Sequence, residues 1–87
     1  SLPETYRDEK LTLASSFDEC LIAARQRAKT LAKTANFYLA ANQFDIYRSF
    51  RQALHDEETL IEQFTIQRDA LLNAAILADN FIQRRGS

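Results

Sequence analysis

The chain has 87 residues, 46% hydrophobic and 26% charged, with a formal net charge of −1 from eleven basic and twelve acidic side chains. This is too apolar for a disordered segment, and it has no basic excess to neutralise a run of phosphates, which argues against nucleic acid as a partner. No apolar run approaches the roughly 20 residues of a membrane span, and the length suits one small domain, read here as a single helical domain over 1–87 or a fragment of a longer protein.

The only proline is Pro3 and the only glycine is Gly86. Between them lies no strong helix breaker, and strand-like alternation is nowhere sustained, so the expected class is all-α. The chain opens on Ser1-Leu2-Pro3-Glu4, the S-x-x-E form of a capping box with proline in the first turn. Ser16-Phe17-Asp18-Glu19 repeats that form and is a secondary candidate for a helix start.

A first arm is expected over about 2–41. Its seam reads in heptads: Ala14, Leu21, Ala28 and Ala35 form one column, and Phe17, Ala24, Leu31 and Tyr38 the other, headed by Lys10. The four-three spacing is that of a coiled-coil seam. Half of these columns is alanine, which accepts large side chains from a facing helix. Cys20 is the only cysteine, so no internal disulfide exists. It is read as a small buried or half-buried residue rather than a nucleophile, in keeping with a cytoplasmic setting.

The best turn signal is Ala40-Ala41-Asn42-Gln43-Phe44-Asp45. Asn42 is expected to cap a following helix, with Asp45 near its positive end. The second arm then runs over about 43–85. Tyr47, Leu54, Ile61, Arg68, Ala75 and Ile82 make one column, and Phe50, Glu57, Phe64, Leu71 and Ala78 a second. A third, adjacent column holds Ile46, Ala53, Leu60, Gln67, Ala74 and Phe81. Glu57 and Arg68 interrupt the seam, either setting register or lying at a wet edge. His55 followed by Asp56-Glu57-Glu58 offers a break near 55–56, which would give a three-helix bundle instead. Gly86-Ser87 after Arg84-Arg85 reads as a cloning scar.

Two arms of equal length fit an antiparallel helical hairpin, with large residues meeting small ones across it. The basic cluster Arg25, Arg27, Lys29 and Lys33 then falls opposite the acidic 56–58 stretch, and cross-arm pairing explains both. Ile22, Leu39, Phe44, Ile66, Leu72, Ile76 and Leu77 lie outside or at the margin of the columns. One helix–helix interface cannot bury such a surplus, so the hairpin is expected to complete a four-helix bundle by association. The expected contact residues are Ile46, Phe50, Leu60, Phe64, Ile76 and Phe81, some of them internal to the hairpin. The expected partner is a second copy (a homodimer) or another helical protein.

Chemistry is sparse. One histidine cannot supply the paired Glu-x-x-His units of a di-iron bundle, and no glycine-rich loop exists to cradle a phosphate. No catalytic, cofactor-binding or metal residues are expected, and no small-molecule substrate. Small all-helical chorismate mutases offer an analogy of shape, in which Arg25, Lys29, Arg48 and Arg51 would hold a dianion. The early arginine and the isoleucine–aspartate repeat of those enzymes are missing. The expectation is a non-catalytic protein–protein interaction module, with a secretion-type helical chaperone or adaptor and a spectrin-like structural spacer as alternatives.

Overall fold

The computed structural model describes residues 1–86; the last residue of the proposed scar, Ser87, lies outside them. It contains two helices, α1 (Leu2–Ala40) and α2 (Phe44–Gly86), and no strand among the described residues. The helices pack against each other as an antiparallel hairpin.

The turn falls where the sequence places it, but Asn42 acts differently. It takes φ = 58°, the left-handed region. Its N–H bonds the Leu39 carbonyl at 3.1 Å, and the Gln43 N–H reaches back to the Tyr38 carbonyl at 2.9 Å. These two bonds are a Schellman ending, with asparagine where glycine is commonest. Asn42 thus terminates α1 rather than capping α2. The first carbonyl taken up by α2 is that of Gln43, which accepts from the Tyr47 N–H at 2.9 Å.

The other proposed starts divide. At the head of α1, the Glu4 carboxylate lies 3.4 Å from the Ser1 amino group, an ion pair rather than the hydrogen bond of a capping box. Ser16 starts nothing: its hydroxyl donates to the Thr12 carbonyl at 3.3 Å inside α1. No break occurs near 55–56 either. α2 is continuous there, Thr59 donates its hydroxyl to the His55 carbonyl at 3.1 Å, and Gln52 donates to Asp56 at 3.0 Å. A stretch without glycine or proline has no intrinsic reason to bend. The three-helix alternative is therefore not adopted, and the third helix of a spectrin-like repeat is absent among the described residues.

Two compact units make up the chain, one from residues 1–20 and 64–86, the other from 21–63. In the first, Ala14 and Ala75 are buried, and the rings of Phe17 and Phe64 meet at 5.7 Å. In the second, Leu21, Ala24, Ala35 and Leu54 are buried, and Tyr38 stacks on Phe50 at 5.6 Å with the planes 5° apart. Such ring pairs contribute about 0.5–1.5 kcal/mol beyond the area they bury. The buried and half-buried positions follow both columns of the first arm and the first two of the second, whereas Ile46, Gln67 and Phe81 of the third column are exposed. Of the six buried hydrophobic residues among those described, four are alanine. The core of the hairpin is accordingly thin.

Candidate interaction surface

The seam interruptions sit at the edge of the helix pair and find partners across it. In the second unit, Arg27 Nε lies 2.7 Å from Glu57 Oε1. In the first, Arg68 Nη1 lies 3.1 Å from Asp18 Oδ1, and Nη2 lies 3.1 Å from Asp69. Hydrogen bonds to Asp18 and then Asp69 hold the Arg68 guanidinium above the usual arginine range. Arg7 repeats the arrangement with Asp79 at 2.8 Å and Asp8 at 3.1 Å, and is raised by the same cause. These arginines stay charged at any working pH. Their partners on the facing helix favour one register over its neighbours.

Outside the seam, large apolar side chains are exposed among the charged ones. Thirteen large hydrophobic side chains are exposed among the described residues. Six of the seven surplus residues named from the sequence are among them: Ile22, Leu39, Phe44, Ile66, Ile76 and Leu77; Leu72 is half-buried. The sequence columns missed Leu11, Leu13 and Phe37, also exposed, because these belong to neither seam column of the first arm. Their signal was available: Leu13 follows Tyr6 by one heptad, and Tyr6 is exposed too.

The six expected contact residues separate into two groups. Phe50, Leu60 and Phe64 are half-buried, and the two phenylalanines belong to the ring pairs inside the hairpin. Ile46, Ile76 and Phe81 are exposed, Ile76 and Phe81 by more than half. In the first unit Ile76 lines an open groove between the helices, of about 400 Å³, together with Leu11, Leu72, Ala75 and the Arg7–Asp79 pair. Phe81 carries the Arg85 guanidinium 6.0 Å from its ring centre.

Cys20 is exposed, not buried as expected. It precedes the seam residue Leu21 by one position, on a flank that two helices alone leave open. No group of three or more His, Cys, Asp or Glu side chains able to hold a metal occurs among the described residues. No helix among them is long and apolar enough to cross a membrane.

No protein-family model matches this chain, and neither a curated protein nor a solved structure matches it.

Proposed function

We propose that this protein is a non-catalytic association module that completes a helical bundle with a partner. The observation that carries the reading is the exposure of so many large aliphatic and aromatic side chains on a hairpin whose own core is mostly alanine. Burying one such side chain contributes about 1.5–3 kcal/mol, so several of them supply both the drive for association and a missing share of stability. Isolated apolar residues are normal on a surface; a surplus of this size on a small domain is what association surfaces show. A partner helix or hairpin laid over the open flanks turns two-helix packing into four-helix packing.

Light scattering after gel filtration, read together with binding of an apolar dye, tests this. The expected result is either a species of at least twice the 10.0 kDa chain mass, or a monomer that binds the dye strongly and loses that binding when a partner is added. A monomer that leaves the dye dark overturns the proposal.

A further inference from the structure

In the first unit, α2 leaves one stripe of its surface uncovered. Asp69, Asn73, Ile76, Leu77, Asn80 and Arg84 are all exposed. Each residue advances a helix by about 100°, so these six share a single arc of about 100°. Their order is symmetric: a charge, an amide, two aliphatic side chains, an amide and a charge. The two end charges are opposite in sign. Asp69 accepts both of its hydrogen bonds from Arg68 on Oδ1, and Arg84 makes no ion pair among the described residues. The aliphatic centre is the most open part, with Ile76 57% and Leu77 69% exposed.

We infer that this stripe docks a second copy of the same chain, with α2 antiparallel to α2 across a two-fold axis between Ile76 and Leu77. The inference rests on the association reading above and names its partner and its face. A two-fold contact has to be complementary to itself, and this stripe is. Turned end for end, Asp69 of each copy meets Arg84 of the other, Asn73 meets Asn80, and Ile76 meets Leu77. One charge complementarity is thereby satisfied twice. The aliphatic side chains cover each other at the centre. The facing amides can exchange hydrogen bonds, and polar residues of this kind fix register in helical seams. The spacing agrees: 69, 73, 76, 80 and 73, 77, 80, 84 both step by four, three and four, the repeat of such a seam. A parallel pairing would set Asp69 against Asp69 and Arg84 against Arg84. A slip of one turn either way parts the charges and puts an asparagine opposite Ile76 or Leu77. The stripe is only about 24 Å long, short for a permanent interface, so the dimer is expected to be reversible.

Sedimentation equilibrium at low salt, over a range of concentrations, tests this. Arg84→Glu alone opposes like charges at both ends of the stripe, and its self-association constant is expected to weaken by at least ~10-fold against the unaltered chain. Adding Asp69→Lys to Arg84→Glu reverses both ends and is expected to recover the original constant. Lys33→Glu makes the same change in net charge in the second unit and is expected to leave the constant as it was. Leu77→Asp puts a charge at the aliphatic centre and is expected to abolish the dimer. Arg84→Glu dimers as tight as those of Lys33→Glu, or a double variant that recovers nothing, overturn the antiparallel stripe while leaving the association reading intact. An unaltered chain that is monomeric at every concentration but binds the apolar dye overturns the second copy as partner and again spares that reading. A monomer that leaves the dye dark overturns both. The substituted side chains are all exposed, so helical circular dichroism is expected to be unchanged; should Leu77→Asp unfold, the charge variants decide.

Discussion

Asn42 concentrates the conformational strain of the turn in one residue. Its φ of 58° lies where a Cβ is crowded by the following carbonyl. Asparagine tolerates that region better than any β-branched residue, and glycine better still. Asn42→Gly is therefore expected to keep the hairpin and to change its stability by no more than about 1 kcal/mol, in the favourable direction if the relief of strain exceeds the entropy gained by the unfolded chain. Asn42→Val is expected to lose about 1–2 kcal/mol, because the Schellman bonds of Asn42 and Gln43 can be kept only at that φ. Urea unfolding of the three chains under one set of conditions checks this. Equal midpoints for all three would show that the turn relaxes out of the left-handed region without consequence.

Within the helices, small and large seam residues depend on each other. Leu21 is fully buried, as are Ala24 one turn on and Ala35 further along the same unit. Leu21→Ala removes the largest fully buried side chain and is expected to cost about 2–5 kcal/mol, a large share of what so small a core supplies. Ala24→Leu is expected to cost about 1–3 kcal/mol for the opposite reason, overpacking. Thermal melts followed by circular dichroism distinguish these from a loosely packed seam, in which both changes would be tolerated. The seam itself was legible because its four-three spacing survives through 38 and resumes from 47. The turn was legible because Asn42 is followed by a new period. What was not legible is instructive. Asn42 can serve either end of a helix, and only the backbone φ decides which. The acidic run 56–58 looks like a helix start, yet Glu57 is held by Arg27 within an unbroken α2. Cys20 is of a residue type commonly buried, and its place one position off the seam leaves it exposed. Of the six contact residues, composition could not separate Phe50 and Phe64, consumed by rings across the hairpin, from Ile76 and Phe81, left open.

At the scale of the molecule, the thin core and the exposed apolar flanks are two sides of one arrangement. Helices lined by alanine approach closely and leave their larger side chains at the margins, where a third and fourth helix would meet them. On the proposed association, folding and binding are linked, and stability is expected to depend on protein concentration. For a two-chain assembly each tenfold rise in concentration adds about 1.4 kcal/mol per mole of dimer. For a domain of this size, that shifts the melting midpoint upward by a few degrees, on the order of 4 °C when shared between two chains. The expected observation is a midpoint that climbs steadily across a hundredfold range of concentration, with a single transition at every step. Concentration-independent melting would mean that the hairpin reaches its full stability alone, and that the exposed Ile22, Ile66, Ile76 and Leu77 contribute nothing to holding it folded.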